Sequence, residues 1–503
     1  MNIKNSLIHL VANNVCNSLN ADYLAGVQIQ KKIFKKLIQK ASKTKFGKDH
    51  AFQEIRNYQD YKRNVRVREY EDFNPYIQEI QEGKKDFLWP GLPKYFAKTS
   101  GTTSGPKYIP LTKDSIKNHI NSARNALFQY LRKNPITKIF DGKMLFLSGT
   151  PALSYENGIA IGRLSGIVNN EIPNWFKKNK LPDNKINAIQ PWEAKIDTMV
   201  RELSKSDIRV IGGIPPWIQM FCETLLNYTG KNTVLDVFPN LELYIHGGVN
   251  YAPYKQKINQ LFGQEIALIE TYPASEGFIA YQDNYQQDGM QLVLNDGIFY
   301  EFIPKDSILD PNAERIQLED VSLHTDYAII LTTNAGLWSY LIGDLVRFVS
   351  LKPHKIKVSG RISQFISAFG EHVISSEIDQ AISFAQKKHL FGVVEFTVAP
   401  QVSPLDNRHA YHEWFIEFSE IPKNLQEIAN TINDHLCELN SYYKDLIEGK
   451  LLDTLKIRPI RKNGFLDYMR KVGKLGEQFK VHRLSNDRKM ADMLSKDIVK
   501  MNA

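Results

Sequence analysis

Residues 98–107 read KTSGTTSGPK, and YIPLT follows at residues 108–112 before a predicted helix that begins near Asp114. The stretch combines hydroxyl side chains with two glycines and a lysine. Glycine lets backbone N–H groups approach an anion closely, hydroxyls donate further hydrogen bonds, and the lysine supplies charge. It is not a Walker A loop, because only three residues separate Gly101 from Gly105 and the Gly-Lys-Ser/Thr ending is absent. The stretch predicts a phosphate-binding loop, with a polar surface loop as the alternative.

A second segment, ETYPASEG at residues 270–277, directly follows a predicted strand at residues 266–269. A strand end that presents Tyr272, Ser275 and Glu276 can stack a base, hydrogen-bond a phosphate and hold a hard cation. Ser-Glu-Gly also occurs in ordinary turns, so a plain turn is the alternative reading.

A third segment, SYLIGDLV at residues 339–346, places Asp344 after a glycine and between two apolar runs. A carboxylate in this position could bind a ribose diol. It could equally cap a turn, since aspartate side chains bond readily to nearby backbone groups.

Short apolar runs alternate with amphipathic stretches from about residue 140 to residue 350. The alternation predicts an α/β order that becomes more antiparallel toward residue 350. Asn295-Asp296-Gly297 is a strong turn signal and predicts a hairpin between strands at residues 291–294 and 298–303.

The composition changes near Gly360 and indicates a separate small α+β domain. Its predicted elements are strands at residues 392–398 and 411–418 and a long helix over about 424–447. We expect a large domain over residues 1–357 and a small domain over residues 358–503.

The composition is that of a soluble globular protein, with 43% hydrophobic and 24% charged residues among 503. The cysteines Cys16, Cys222 and Cys437 are far apart, so neither a disulfide framework nor a zinc site is indicated. Residues 24–42 show helical apolar spacing, which fits a helix packed on a core or one lying on a membrane surface. No secretory pattern and no apolar run near the roughly 20 residues of a membrane span is visible. We expect a cytoplasmic monomer without a membrane partner.

The net charge of +9 is concentrated at the C-terminal end, where residues 456–503 hold 13 Lys/Arg against 5 Asp/Glu. Such a basic segment could bind nucleic acid, cover an anionic small molecule or form a solvated helix face. The interleaving of aromatic and basic residues that is typical of RNA-binding modules is absent. We therefore expect no nucleic-acid partner.

The order of these parts resembles the adenylate-forming superfamily of acyl-CoA synthetases, luciferases and adenylation domains. A finer likeness is to the auxin-responsive acyl-acid amido synthetases of plants and their bacterial relatives, the Gretchen Hagen family. It rests on VREYEDFNPYIQEIQEG at residues 67–83, FLDYM at 465–469 and GEQFKVHR at 476–483. The resemblance implies a large N-terminal domain of mixed β-sheets flanked by helices and a small mobile α+β C-terminal domain.

The resemblance also implies a role for each matching residue. The expected ligands of the β- and γ-phosphates are Ser100, Thr102, Thr103, Ser104 and Lys107, in a loop shaped by Gly101 and Gly105. Tyr272 would stack on adenine opposite Gly247 and Gly248, Ser275 would touch the α-phosphate, and Glu276 would hold Mg²⁺. Asp344 and Arg361 would bind the ribose, and Lys480 would be the cation that the mobile domain brings to the α-phosphate.

The implied activity uses ATP and Mg²⁺ to convert a carboxylic acid into an acyl-adenylate with release of pyrophosphate. The acyl group then passes to an amine, which the resemblance suggests is an amino acid, so the partners are small molecules. A thioester-forming acyl-CoA ligase is the nearest alternative, since it shares the first half-reaction. A nucleic-acid-binding protein and an ATP-binding pseudoenzyme are more distant alternatives.

Overall fold

The computed structural model describes residues 3–499 except residues 100–105, 190–191, 249–250, 252–253, 309, 311–312, 363–364, 367, 372, 405–408, 473–480 and 482. The strands described are β1 (Tyr95–Thr99), β2 (Lys107–Leu111), β3 (Lys143–Phe146), β4 (Ser154–Glu156), β5 (Ile159–Gly162), β6 (Lys180–Leu181), β7 (Ile208–Gly212), β8 (Leu243–Gly247), β9 (Ala267–Ala274), β10 (Gly277–Tyr281), β11 (Met290–Leu292), β12 (Ile298–Pro304), β13 (Asp326–Thr333), β14 (Tyr340–Leu351), β15 (His354–Arg361), β16 (Phe365–Ile366), β17 (Val373–Ile374), β18 (Val393–Gln401), β19 (Tyr411–Phe418) and β20 (Lys456–Ile460).

The α-helices are α1 (Ile3–Leu24), α2 (Gly26–Ala41), α3 (Lys45–Asp49), α4 (Tyr58–Asn64), α5 (Asn74–Gln81), α6 (Lys113–Lys133), α7 (Leu164–Glu171), α8 (Asn174–Lys177), α9 (Asn184–Asn187), α10 (Trp192–Leu203), α11 (Pro215–Thr229), α12 (Val234–Val237), α13 (Lys255–Phe262), α14 (Ser375–His389), α15 (Leu425–Leu439), α16 (Ser441–Glu448), α17 (Gly464–Lys471) and α18 (Lys489–Leu494). Among the described residues, no helix is long and apolar enough to cross a membrane.

A large mixed sheet dominates the fold, with the strand order β12-β13-β14-β15-β11-β10-β9-β8-β7-β3-β6. Strands β6, β3, β7, β8 and β9 run parallel, and the strands from β10 to β15 pair antiparallel. The predicted change from parallel to antiparallel character along the chain is confirmed. Helices cover the sheet, so the α/β class expected from the sequence is confirmed as well.

The hairpin predicted around Asn295-Asp296-Gly297 is wrong. Gly297 does adopt the left-handed backbone of a turn, with φ of 81°. Strand β11 pairs with β10 and β15, however, and β12 pairs with β13 at the far edge of the sheet. The buried Gln291 amide donates to the carbonyl of His354 at 3.1 Å and so stabilises β11 beside β15. A turn signal sets local backbone geometry, whereas long-range contacts decide which strands pair.

Helix α2 packs on the globular core, as one of the two readings of residues 24–42 predicted. Its apolar side chains Phe34, Leu37 and Ile38 are buried. Gln30 on the same face donates to the carbonyls of Leu294 and Ile298, both at 2.9 Å. The buried amide therefore satisfies one carbonyl in the segment between β11 and β12 and the carbonyl of the first residue of β12.

The C-terminal layer, defined as residues 375–499, is built on the sheet β18-β19-β20. The predicted strands at 392–398 and 411–418 correspond to β18 and β19. The long helix predicted over 424–447 is broken into α15 and α16 at Asn440. The buried Asn440 has an extended backbone, and its side chain accepts a hydrogen bond from the N–H of Tyr443 at 2.9 Å. The asparagine thus ends one helix and caps the next.

A buried ion pair fixes the start of β14. Arg315 lies 3.1 Å from Glu301, and both side chains are almost fully buried. Ser339 joins them, because its hydroxyl donates to Glu301 at 2.7 Å and accepts from Arg315 at 2.7 Å. Ser339 has a positive φ of 46°, which a β-strand does not favour. The network holds this backbone immediately before Tyr340.

We expect Arg315→Met to destabilise the protein by about 3–5 kcal/mol, because it leaves the Glu301 carboxylate buried and unpaired. Thermal unfolding should show a clear fall in midpoint. Arg347→Met is the matched control, since Arg347 pairs with Asp326 at 2.6 Å on the surface and its loss should leave the midpoint nearly unchanged. Equal losses in the two variants would show that the buried network does not hold β14.

Candidate active site

Parallel strands bring several loops to one edge of the large sheet. Strands β3, β7 and β8 end at Phe146, Gly212 and Gly247, beside residues 271–274 of β9. In open α/β sheets, ligands bind in the crevice outside the carboxyl ends of the strands. This carboxyl edge is therefore the place where the predicted site residues can meet.

The two glycines predicted as a wall of the nucleotide site lie at the end of β8. A Cβ atom added to Gly247 would lie 2.2 Å from the carbonyl oxygen of Thr271, so no larger residue fits there. Gly248 has a φ of 80°, which favours glycine. The Thr271 hydroxyl donates to the carbonyl of His246 at 2.8 Å and fixes the two strand ends together.

The turn that carries Ser275 and Glu276 joins β9 to β10 and is clamped from helix α6. The Oδ1 atom of Asn118 accepts from the N–H of Phe278 at 2.6 Å, and its Nδ2 atom donates to the carbonyl of Phe278 at 3.3 Å. Asn118 is 1% exposed, so these bonds are shielded from water. Helix α6 is capped by Thr112, whose hydroxyl donates to the carbonyl of Asn334 at 2.8 Å. The clamp therefore ties the turn to the rigid body of the fold.

Glu276 lies among charges of both signs. Burial raises the pKa of its carboxyl group, and the nearby Asp344 carboxylate raises it further, while Lys107 lowers it. The hydroxyl of Tyr340 donates a hydrogen bond to Glu276, which favours the ionised carboxylate. Burial and the Glu276 charge raise the pKa of Tyr340 well above its usual value, so this phenol stays a donor. A partly exposed carboxylate at this position could hold a cation.

Asp344 lies inside strand β14 rather than at a turn, so the alternative reading of a turn cap is wrong. Its side chain is 4% exposed and accepts a hydrogen bond from the hydroxyl of Tyr272. On the neighbouring strand β15, Arg361 is the residue paired with Asp344 in the strand register. The backbone thus brings together the two residues predicted to bind a ribose.

Lys107 is the first residue of β2, just after the predicted phosphate loop. Its ammonium nitrogen lies 5.3 Å from the centre of the Tyr70 ring. The Tyr70 hydroxyl accepts from the N–H of Tyr108 at 2.7 Å, which fixes the ring beneath the lysine. An aromatic face attracts a cation without neutralising it.

The remaining predicted site residues lie outside the described structure. They are Ser100, Gly101, Thr102, Thr103, Ser104, Gly105 and Lys480, together with the side chain of Arg361. Among the described members, Lys107, Tyr272, Glu276 and Asp344 come together. Ser275, Gly247 and Gly248 lie at the same carboxyl edge.

Arginines of the basic C-terminal segment are paired with carboxylates of the C-terminal layer. Arg458 and Arg488 both bind Glu413, with closest distances of 2.6 and 2.8 Å. Arg461 pairs with Asp467 at 2.7 Å and with Asp497 at 2.9 Å. These arginines therefore stabilise the layer internally.

Three residues near the site were not assigned a role from the sequence: Asn118, Tyr340 and Tyr70. Tyr340 and Tyr70 lie within segments 339–346 and 67–83, so their position in those motifs was the available signal. Asn118 carried no motif. Only a polar side chain on the inward face of an amphipathic helix could have indicated it.

Three family models that match the sequence describe domains of one family. The GH3 family N-terminal domain matches residues 18–216, the GH3 family central domain matches 291–361, and the GH3 family C-terminal domain matches 376–489. A jasmonoyl–L-amino acid synthetase of Nicotiana attenuata is 22% identical, over 91% of this chain and 90% of the relative. Another, from Oryza sativa subsp. japonica, is 21% identical over 94% of this chain and 95% of the relative.

Solved structures with the same fold include an acyl acid amido synthetase and a CoA ligase. The GH3.15 acyl acid amido synthetase in complex with 2,4-DB superposes with a TM-score of 0.61 at 17% identity, covering 96% of both chains. A 2-hydroxyisobutyryl-CoA ligase in the thioesterification state superposes with a TM-score of 0.53 at 15% identity, covering 95% of this chain and 91% of the ligase.

We expect Asn118→Ala to leave the N–H and the carbonyl of Phe278 without their buried partner, at a cost of about 1–3 kcal/mol. The turn that carries Glu276 should loosen, and carboxylate-dependent ATP–pyrophosphate exchange should fall by roughly tenfold or more. Asn121→Ala is the control on the same helix, because Asn121 donates to Asp296 at 3.1 Å, away from the turn. An exchange rate that is equal in the two variants would contradict the clamp.

Proposed function

The chain belongs to the GH3 family, and on that premise we propose that it uses ATP and Mg²⁺ to join a small carboxylic acid to an amino acid. It is an adenylate-forming ligase of the acyl-acid amido synthetase type. The observation that carries the proposal is the meeting of Lys107, Tyr272, Glu276 and Asp344 at the carboxyl edge of the sheet.

In the proposed first half-reaction, a carboxylate oxygen of the acid attacks the α-phosphorus of ATP. The bond from that phosphorus to the oxygen shared with the β-phosphate breaks, and pyrophosphate leaves. Lys107 stabilises the charge that develops on the departing phosphates, and alignment of the reactants by the loop lowers the barrier further.

We propose that the predicted residues bind successive parts of ATP along the carboxyl edge of the sheet. The loop at residues 100–105 would cradle the β- and γ-phosphates, and Ser275 would bind the α-phosphate. Adenine would lie between Tyr272 and the backbone of Gly247 and Gly248. Asp344 and Arg361 would bind the ribose. The close approach of Gly247 to β9 supports this, because it leaves a flat surface without a side chain.

The residues near Glu276 suit Mg²⁺. In the part of the chain that the structure describes, no group of three or more His, Cys, Asp or Glu could form an all-protein metal site. Mg²⁺ typically takes one or two carboxylates together with substrate phosphates and water, which is what Glu276 beside a bound triphosphate would offer. When bound, the ion would neutralise phosphate charge.

In the proposed second half-reaction, the amine nitrogen attacks the acyl carbonyl carbon of the adenylate. The carbon–oxygen bond to AMP breaks, AMP leaves, and the amine proton passes to solvent. We propose that residues 358–503 act as a mobile domain that brings Lys480 to the α-phosphate for adenylation and turns for transfer.

We also propose that the protein works as a cytoplasmic monomer on small molecules. The described cysteines Cys16, Cys222 and Cys437 are all free thiols, which supports a reducing compartment.

We expect Glu276→Gln to keep the fold but to abolish carboxylate-dependent ATP–pyrophosphate exchange, because the amide keeps the shape and loses the charge that Mg²⁺ requires. Glu270→Gln, on the adjoining strand, is the matched control and should retain exchange. Exchange at the wild-type rate in Glu276→Gln would remove Glu276 from the site.

The same residue should make Mg²⁺ binding sensitive to acid. Only the ionised carboxylate binds the ion, and burial raises the pKa of Glu276. Apparent Mg²⁺ affinity should therefore fall as the pH drops through this raised pKa, at a higher pH than for an exposed glutamate. Calorimetric titration of the wild-type protein and of Glu276→Gln at several pH values would separate this effect from other carboxylates.

The acceptor distinguishes the proposal from its rival, a thioester-forming ligase that shares the fold. With an acid identified by a pyrophosphate-exchange screen, we expect mass spectrometry to find an amide when a mixture of the twenty amino acids is offered. We expect no thioester when coenzyme A is offered instead. A thioester without any amide would overturn the proposed acceptor.

A further inference from the structure

Helix α16 of the C-terminal layer touches the large sheet-bearing part of the chain through Arg163. The Arg163 guanidinium donates to the carboxylate of Asp445, with side-chain exposures of 34% and 48%. The same guanidinium lies over the Tyr442 ring, 4.9 Å from its centre. One arginine therefore binds two positions, three residues apart, on the same helix.

The contact reaches the strand that leads into the predicted phosphate loop. The Tyr442 hydroxyl lies 3.4 Å from the carbonyl oxygen of Lys98 in β1. Strand β1 pairs in parallel with β5, whose last residue, Gly162, directly precedes Arg163. The first turn of α16 thus lies against two adjacent strand ends, and one of them opens into residues 100–105.

Arg163 also lies against the carboxyl edge of the large sheet. A Cβ atom added to Gly149, in the loop after β3, would lie 3.5 Å from Cδ of Arg163. The arginine side chain is therefore placed between the loop after β3 and helix α16. It can relate the position of the C-terminal layer to strand β1 and to the loop after β3.

We propose that Arg163 is a positioning residue, and that its contacts with Asp445 and Tyr442 form a latch that holds the C-terminal layer in one of its two working orientations. The inference rests on the proposed two half-reactions. A half-exposed ion pair biases a conformational equilibrium without locking it, by roughly two- to fivefold, and the cation–π contact adds to this. A contact of this strength can open and close once in each turnover.

Breaking the latch should shift the two half-reactions unequally, because only one of them uses the latched orientation. We expect Arg163→Asp and Asp445→Arg each to change the ratio of the adenylation rate to the aminolysis rate by threefold or more, in the same direction. The double swap should restore at least half of that change. Pyrophosphate exchange measures adenylation, and release of AMP from preformed acyl-adenylate measures aminolysis.

The latch can be tested independently of the proposed function by measuring a distance between two labels, which requires no catalysis. Cysteines introduced at the exposed positions Tyr155 and Leu390 would carry a fluorescent pair, in a background with Cys437→Ser. In ligand-free protein, each single charge reversal should shift the distance distribution between the labels, and the swap should restore it. Lys31→Ala breaks a comparable exposed ion pair with Glu319 and should change nothing.

The outcomes are distinct. If none of the acids offered supports pyrophosphate exchange by the wild-type protein, the proposed function fails. The distances between the labels still test the latch in that case. If the wild type is active but the rate ratio and the distances do not respond to either charge reversal, the latch is overturned. Loss of both half-reactions in equal measure, without rescue by the swap, would also overturn it.

Discussion

The parallel alignment of β7, β8 and β9 is the constraint on which the site depends. It places Gly247 opposite Thr271, so close that no side chain fits between the two strand ends. Because β9 continues past this point to Ala274, the next turn extends beyond the edge of the sheet. Residues far apart in the chain meet there only because the strands share a direction. An antiparallel pairing of β8 with β9 would carry Glu276 to the opposite edge.

The electrostatics of that turn suit a site that binds a cation and an anion together. Burial and the neighbouring Asp344 carboxylate raise the pKa of the Glu276 carboxyl group, and Lys107 lowers it. In the proposed site, a divalent cation would offset the repulsion between the two carboxylates, and a triphosphate would supply the counter-charge. The hydroxyls of Tyr340 and Tyr272 each donate a hydrogen bond to one of the two carboxylates, Tyr340 to Glu276 and Tyr272 to Asp344.

Local patterns in the sequence predicted the elements that depend on local forces. The strand at residues 411–418 is predicted with its observed bounds, and the amphipathic helix before Ser42 follows from its apolar spacing. Features set by distant contacts were not accessible in this way. The pairing of β11 depends on β15, and Asn118 bonds to Phe278, which lies 160 positions further along the chain. Motifs predicted site residues because ligand chemistry restricts residue types locally, whereas the residues that support these positions, such as Asn118, follow no short pattern.

The surplus of positive charge in the C-terminal segment does not by itself indicate an anion site, because arginines of this segment are paired with carboxylates. An arginine paired with a carboxylate, as Arg458 is with Glu413, would have to give up that bond to serve a phosphate. Lys107 is in a different situation, because the Tyr70 ring holds its ammonium group in place and leaves its charge undiminished. Net charge alone therefore does not locate an anion site. The anion site that we propose at Lys107 rests instead on a cation held by a neutral ring near the Glu276 carboxylate.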